Sequence, residues 1–321
     1  MVENLRTVGP MTPTEARHLH EIERLWASYG PALRARAALD GGMVWKSVNG
    51  AEYLCRYRQN HDTGKKQFTS LGRRSPETEA VYRDFMERRD TARHVVLSSR
   101  DPITIAGRVA KAYGLARLPA KMAEMLRAFW LRSLDDSLTI FGGVALLAYE
   151  IETEPLAPAG LIRDEALIVI PMTAEITIAD LAEAYEAATG EKPRVQGHGD
   201  RQVLHRGDAV PLEVWSRNFV LGHADDRDQA EVIEEGFEAP LLKGLTVARD
   251  ARPVEFATFD PRVYAMLASV LGRDQPVWGD RARFAAALVR ERWPEQFEPR
   301  QEAAYHDLCL ETKADEKFDG A

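Results

Sequence analysis

Cysteine is scarce in this sequence, and long apolar runs are missing from it. The 321 residues include two cysteines, Cys55 and Cys309, and neither lies in a Cys-x-x-Cys or Cys/His spacing. This argues against a disulfide framework or a structural zinc site and is typical of a reducing compartment. The most apolar stretches, 141–149 and 166–172, are too short to span a bilayer, and the first residues lack the apolar core of a signal peptide. We therefore expect a soluble, cytoplasmic protein.

Several common catalytic motifs are also missing. No serine lies in a Gly-x-Ser-x-Gly elbow, and no Walker-type phosphate loop is present. The eight histidines are scattered and lack the carboxylate or cysteine spacing of a metal site, which favours solvated loop positions for them. The sequence therefore offers no support for a serine hydrolase, a P-loop enzyme or a histidine–zinc site.

Charge is distributed unevenly along the chain. The formal net charge is -8, but residues 1–134 hold 23 basic and 14 acidic side chains, a balance of +9. The remaining 19 basic and 36 acidic side chains give residues 135–321 a balance of -17. A basic half joined to an acidic half predicts either different partners for the two halves or an attraction between them. Charge alone leaves both readings open.

The first 134 residues are predicted to form helices around a three-stranded β-meander. Asn49-Gly50 separates the first two β-rich runs, and this dipeptide is the strongest short hairpin signal. Alternation along the second run places Tyr53 and Tyr57 on one face and Arg56 and Arg58 on the other. Gly30-Pro31 is expected to break or kink the first helix, and Asp101-Pro102 is expected to open a new one. The predicted helices are 12–39, 75–97, 101–113 and 118–132, and the predicted strands are 43–48, 52–58 and 67–71.

Residues 135–321 are predicted to form an αβ core closed by C-terminal helices. Together with the region 1–134, this pattern predicts an α+β fold with two domains, 1–134 and 135–321. The predicted strands are 137–141, 166–170, 202–205 and 210–215, and the predicted helices are 144–150, 178–189, 261–271, 280–291 and 299–311.

Gly142-Gly143 is the first feature of this region that carries chemistry. It stands at a predicted turn from a strand into a helix. Glycines at such a turn let backbone amides approach a ligand, and the following helix would present free N–H groups and its positive dipole end. The turn is therefore a candidate phosphate cradle, although glycine pairs also serve ordinary tight turns.

Five segments carry a resemblance to a known family. The more specific ones are Trp45-Lys-Ser-Val-Asn-Gly-Ala-Glu-Tyr-Leu and Ser70-Leu-Gly-Arg-Arg-Ser-Pro-Glu-Thr-Glu; the others are the Gly-Gly-Val turn in 141–144, the aromatic in 148–149 and the Pro-x-x-Tyr-Ala unit in 260–267. Over most of its length the chain resembles an uncharacterised bacterial family of nucleotidyltransferase-fold proteins in the polymerase-beta-like superfamily. The resemblance implies Mg²⁺-dependent transfer of a nucleotide from an NTP to an RNA, protein or small-molecule acceptor.

The resemblance also implies a set of site residues. Gly142-Gly143 would hold the triphosphate, Glu165 and Glu213 would be catalytic metal-binding carboxylates, and Asp164 would be a further metal ligand. In such sites two acids at i and i+2 of one strand share a face and bind Mg²⁺ together. Here the i+2 position is Leu167, so the acidic pair is incomplete and the active-site motif is degenerate.

The meander also carries basic residues interleaved with aromatic ones. Such a surface can bind nucleic acid, because its cations pair with phosphates. It can equally hold a partner protein, or its aromatics can pack on the next helix while its charges are solvated. The candidate nucleic-acid-binding residues are Lys46, Arg56, Arg58, Lys65, Lys66, Arg73 and Arg74.

Two functions therefore stand as predictions. The first is an Mg²⁺-dependent nucleotidyltransferase that uses Glu165 and Glu213. The second is a catalytically inactive scaffold of the same fold, which binds nucleic acid or a partner protein through the basic meander.

Overall fold

The computed structural model of the chain describes residues 10–59, 65–163, 166–224, 227–272 and 275–292. The fold is α+β, as the sequence predicts. The chain forms two compact units, and the larger one combines Met1–His20 with Gly107–Ala321. The smaller unit is Glu21–Ala106. The boundaries between the units fall inside two long helices, α1 (Pro13–Ala38) and α2 (Pro76–Ala112).

The smaller unit contains the predicted meander. Its strands are β1 (Gly42–Val48), β2 (Ala51–Gln59) and β3 (Lys66–Arg73), paired antiparallel in the order β1-β2-β3. Asn49 and Gly50 both adopt positive φ, 52° and 76°, as a two-residue hairpin turn requires. Trp45 and Leu54 lie opposite each other on the face that packs towards α2. Both the meander and its predicted alternation are confirmed.

One predicted helix boundary is wrong: Pro102 lies inside α2, so the predicted helices 75–97 and 101–113 form one helix. The predicted helix 12–39 is a single helix that continues through Pro31, so the chain does not break there. A proline removes one amide donor, and neighbouring bonds can keep the turn helical. Near Pro102 the Thr104 hydroxyl donates to the Arg100 carbonyl at 2.7 Å. The predicted start of α2 is confirmed, since the Ser75 hydroxyl accepts from the Thr78 N–H at 3.4 Å.

The larger unit is built on a mixed eight-stranded sheet. Its strands are β4 (Ala116–Leu118), β5 (Leu138–Phe141), β6 (Leu167–Pro171), β7 (Arg194–His198), β8 (Arg201–His205), β9 (Leu212–Trp215), β10 (Leu242–Ala248) and β11 (Pro253–Thr258). Their order in the sheet is β4-β10-β11-β5-β6-β9-β8-β7. At its centre β5 pairs antiparallel with β6, and β6 pairs parallel with β9.

Helices cover this sheet. They are α3 (Ala120–Leu131), a 3-10 helix (Gly143–Ala148), α4 (Glu150–Thr153), α5 (Ile178–Thr189), α6 (Arg217–Leu221), α7 (Arg227–Glu238), α8 (Pro261–Gly272) and α9 (Pro276–Arg292). The boundary predicted at 134–135 lies inside this unit, because buried side chains of α3 and β5 share one core. The predicted helix 299–311 lies outside the described residues.

Phe141, the last residue of β5, organises the aromatic part of that core. Its ring stacks on Trp278 of α9 with centroids 5.0 Å apart, and it contacts Tyr264 of α8 at 5.1 Å. Phe259 and Trp215 meet it edge to face, at 5.9 and 6.2 Å. Aromatic burial of this extent fixes the α8–α9 pair against the centre of the sheet. Among the helices that the structure describes, none is both long and apolar enough to cross a lipid bilayer.

Candidate functional site

A cavity of about 360 Å³ opens in the larger unit beside the start of β6. This volume lies within the range of small-molecule sites, which starts at about 300 Å³. Strands β6, β8 and β9 form one side of the cavity, and α6, α8 and α9 with their adjoining loops form the other. The lining side chains that decide its chemistry are Arg163, Arg201, Glu213, Trp215, Phe219, His223, Trp278 and Arg281.

Strand register places Glu213 in this cavity. Ile168 of β6 pairs with Glu213 of β9, and both line the cavity, whereas Leu167 pairs with Leu212 in the fully buried core. Neighbours in register share a face of the sheet, and successive residues alternate between faces. Leu167 therefore lies on the face opposite to Glu213. An acid at position 167 would point away from the cavity and could not share a metal ion with Glu213. The absence of an acid at Leu167 therefore does not remove a metal ligand from the face that carries Glu213.

Glu213 is tied to Arg201. The Arg201 guanidinium donates to the two carboxylate oxygens of Glu213 at 3.1 and 3.0 Å, and the Trp215 indole N–H donates to the same group at 2.9 Å. The Glu213 side chain is 17% exposed, whereas that of Arg201 is 51% exposed. The guanidinium also lies 5.9 Å from the ring centroids of both Trp215 and Phe219. Arg201 is thus held over an aromatic wall while remaining accessible from the cavity.

Arg281 brings a second guanidinium to the cavity from α9. It is 2% exposed, its Nε donates to the Leu161 carbonyl at 2.9 Å, and it stacks on Trp278 at 4.7 Å. Arg163, which lies on the segment before β6, lines the same cavity and is exposed. Three guanidinium groups and one carboxylate give the lining an excess of positive charge. Anions are therefore attracted into it.

Aromatic side chains supply the remaining wall. Trp215 and Trp278 lie 5.8 Å apart, and Phe219 lies 4.8 Å from Trp215. His223 completes this side: its Nδ1 donates to the Phe219 carbonyl at 2.8 Å, and Nε2 is then the acceptor nitrogen of the neutral ring. A cavity with flat aromatic walls and guanidinium groups is suited to a ligand that combines an aromatic ring with negative charge.

Gly142-Gly143 is buried in the structure. The helix that follows is a 3-10 helix of only six residues, so few peptide dipoles add up at its N-terminus. A Cβ at Gly143 would lie 2.2 Å from the Leu161 carbonyl oxygen and 2.7 Å from the Arg281 guanidinium. The Gly142 carbonyl accepts from the Tyr264 hydroxyl at 2.8 Å. These contacts give the pair a packing role, and a phosphate role for it stays a prediction.

The predicted metal ligands Asp164 and Glu165 lie outside the described residues. Among the lining residues that the structure describes, Glu213 is the only carboxylate, and it is paired with Arg201. Across the described ranges, no group of three or more His, Cys, Asp or Glu side chains is placed to hold a metal ion. Those residues alone do not fit an Mg²⁺ site.

Sequence reasoning missed the cavity arginines and Trp278. Arg163, Arg201 and Arg281 lie in no recognisable motif, and Trp278 reads as a core residue. A residue pattern along one segment carries no signal for side chains that meet only after the sheet and the α8–α9 pair have formed.

The structure separates the basic residues predicted on the meander. Arg56 packs against Phe85 of α2 at 4.8 Å, and burial lowers its pKa. Arg74 is bonded to Glu79 at 2.7 Å and to Glu52 at 2.6 Å, and these bonds raise its pKa. Both arginines therefore have structural partners within the smaller unit.

The other five candidates lie elsewhere on the meander. Register places Lys46, Lys66 and Arg73 on the face of the sheet opposite to Arg56, while Arg58 shares the face of Arg56. Lys65 precedes β3 and is exposed.

The larger unit is thus an α+β unit with a cationic, aromatic-lined cavity beside its central strands. No family model, no curated protein and no solved structure matches the chain. The resemblance to nucleotidyltransferases therefore rests on the sequence segments alone.

Proposed function

We propose that this chain is a nucleotidyltransferase-fold protein that binds a nucleotide in the cavity beside β6 and β9. One observation carries the proposal: three arginines and three aromatic rings converge in a single cavity of about 360 Å³. Trp215 and Trp278 are only 5% and 4% exposed, whereas Phe219 is partly exposed. A base can therefore lie against Phe219 and the edges of the two indoles, while its phosphates meet the exposed guanidinium groups of Arg163 and Arg201. The resemblance in the sequence is an independent reason to expect this ligand class.

Arg201 is the most direct phosphate contact in this proposal. It is half exposed and already held in a planar, doubly bonded geometry by Glu213. Guanidinium groups bind phosphate oxygens in the same two-bonded way. A phosphate would compete with Glu213 for Arg201, so nucleotide affinity depends on the strength of that ion pair.

Binding without transfer is the form of the proposal that the described residues favour. Transfer would need Glu213 to leave Arg201 and to share Mg²⁺ with at least one further carboxylate. Asp164 and Glu165 are the residues of the sequence prediction that would supply it. Mg²⁺-dependent transfer to an RNA, protein or small-molecule acceptor therefore stays the second form of the proposal.

Isothermal titration calorimetry with the four NTPs, inorganic triphosphate and the unphosphorylated nucleosides tests the ligand class. We expect an NTP to bind more tightly than either triphosphate or nucleoside alone, because only the NTP uses both walls. Equal affinity for triphosphate and NTP would show that the base does not bind to the aromatic wall. Absence of heat with every NTP, with and without Mg²⁺, would refute nucleotide binding.

Arg201→Gln is the matching variant. Loss of a charge-assisted contact of about 1.5–3 kcal/mol predicts at least a roughly tenfold weaker NTP affinity. Arg194→Gln is the control, since Arg194 is exposed on the edge strand β7 and lies outside the cavity lining. Equal losses of affinity in both variants would mean that only overall charge matters.

The second form of the proposal, nucleotide transfer, is tested by incubating the chain with labelled NTP, Mg²⁺ and candidate acceptors and measuring the label on the acceptor.

A further inference from the structure

The meander of the smaller unit has two chemically different faces. Trp45 and Arg56 lie on the face that packs on α2, where they contact Tyr82 and Phe85 at 5.9 and 4.8 Å. The pairing register assigns the opposite face, which we call the open face, a different set of side chains. Its charged and aromatic side chains are Lys46, Tyr53, Tyr57, Lys66, Phe68 and Arg73, and Val44, the buried Cys55 and Ser70 lie between them.

Cations and aromatic rings are in contact on the open face. The Lys46 ammonium lies 3.0 Å from the centroid of the Phe68 ring, and the Lys66 ammonium lies 4.6 Å from that of Tyr57. The two rings are 5.7 Å apart. Phe68 is 44% exposed although it is a large apolar residue. Burial therefore does not explain the position of Phe68, whose ring is accessible to a ligand, while Tyr57 beside it is partly exposed.

Charge on the meander is predominantly positive. Residues 42–74 contain seven basic and two acidic side chains. Glu52, the acid within the strands, is bonded to Arg74 and lies off the open face in the register. The open face thus combines three cations with three aromatic rings, and none of the paired strand residues on it is a carboxylate.

We infer that the open face binds single-stranded nucleic acid. Unpaired bases have exposed π-faces that stack on aromatic side chains, whereas the bases of a duplex are covered by their neighbours. A base that stacks on Phe68 displaces the Lys46 ammonium from the ring, and the ammonium then pairs with a phosphate. Lys66 beside Tyr57 and Arg73 beside Tyr53 provide the same combination along the sheet. The inference is independent of nucleotide binding in the larger unit.

Fluorescence anisotropy of the full chain with labelled oligo(U) and oligo(dT) of about 15 nucleotides tests this inference. We expect single strands to bind and the duplex of the same length to bind more weakly. Three phosphate contacts predict a slope of about -2 for log affinity against log salt. Phe68→Ala should weaken binding about fivefold or more, because base stacking on one ring is lost. Lys66→Ala should weaken binding and flatten the slope.

Two exposed residues away from the open-face set serve as controls. Leu71→Ala removes an apolar side chain from the irregular position of β3, where the register with β2 shifts. Arg88→Ala removes a cation from α2 whose side chain is 65% exposed. Neither variant should change the affinity by as much as Phe68→Ala or Lys66→Ala. Equal losses in all four variants, equal affinity for duplex and single strand, or no binding at low salt would each overturn the inference.

Discussion

Glu150 is the buried acid whose ionisation most directly links the stability of the larger unit to pH. It is 3% exposed and accepts from the Ala157 N–H at 3.0 Å. Arg117 donates to the Glu150 carboxylate and also to the Ala157 carbonyl. These contacts connect β4, α4 and the loop that follows α4, so the protonation of Glu150 affects several elements together.

Burial raises the pKa of Glu150 from 4.5 to about 7. The cost of desolvating the carboxylate exceeds the stabilisation that the carboxylate gains from Arg117 and from the Ala157 N–H. Between these two values the folded chain holds a proton that the unfolded chain has released. The free energy of unfolding therefore falls as pH rises through this window and levels off above it. At about 1.4 kcal/mol for each pKa unit, the total change is on the order of 3 kcal/mol.

Glu150→Gln removes this titration while keeping the shape of the side chain. Urea unfolding followed by circular dichroism at several pH values gives the free energy of unfolding for both proteins. We expect the stability of the native protein relative to the variant to fall by about 3 kcal/mol between about pH 4.5 and 7.5. Glu186→Gln removes an exposed carboxylate from α5 and serves as the control for the change in net charge. A difference that is flat, or that rises with pH, would refute the reasoning, since Arg117 would then outweigh burial.

Two further predictions concern the Gly142-Gly143 turn. Gly143→Ala should destabilise the larger unit by about 2–3 kcal/mol, because its Cβ would meet the Leu161 carbonyl oxygen at 2.2 Å. Gly160→Ala is the control, because a Cβ at Gly160 would have no atom within 4 Å, and it should change the thermal midpoint of unfolding little. Similar midpoints for the two variants would contradict the packing role of Gly143. Tyr264→Phe should cost about 1 kcal/mol, because the buried Gly142 carbonyl loses the donor at 2.8 Å and keeps only the Ala145 N–H at 3.3 Å. An unchanged urea midpoint would show that this bond adds nothing.

Elements with local signals could be predicted from the sequence. Asn49-Gly50 predicts the β1–β2 hairpin, and α5 begins and ends as predicted because Thr177 caps it and Gly190 adopts a left-handed conformation at its end. The edge strand β7 was missed, since its five residues are exposed and contain a single large apolar side chain, Val195. Strands β10 and β11 were missed as well. They form a local antiparallel hairpin with each other, whereas their place in the sheet beside β4 and β5 depends on contacts that no local pattern records.

The candidate site could be predicted only in part. Glu213 was identified from its place on a later strand, and the structure puts it in the cavity. Its partner Arg201 lies on the neighbouring strand β8, where Arg201 pairs in register with Trp215 rather than with Glu213 itself. That contact depends on the β8–β9 register. Likewise, the split of the meander's basic residues between two faces follows from alternation, whereas the carboxylates that hold Arg74 could not be read from the sequence.

The central claim, nucleotide binding in the cavity, is tested most directly by titrating ATP into the native chain and Glu213→Gln, each with and without Mg²⁺. If the cavity is an anion site, removing Glu213 frees Arg201 and removes a repelling charge. We then expect ATP to bind the variant roughly threefold to tenfold more tightly, with or without Mg²⁺. Weaker binding by the variant only when Mg²⁺ is present would contradict this account and assign Glu213 to a metal site. No ATP binding to either protein would contradict the claim outright.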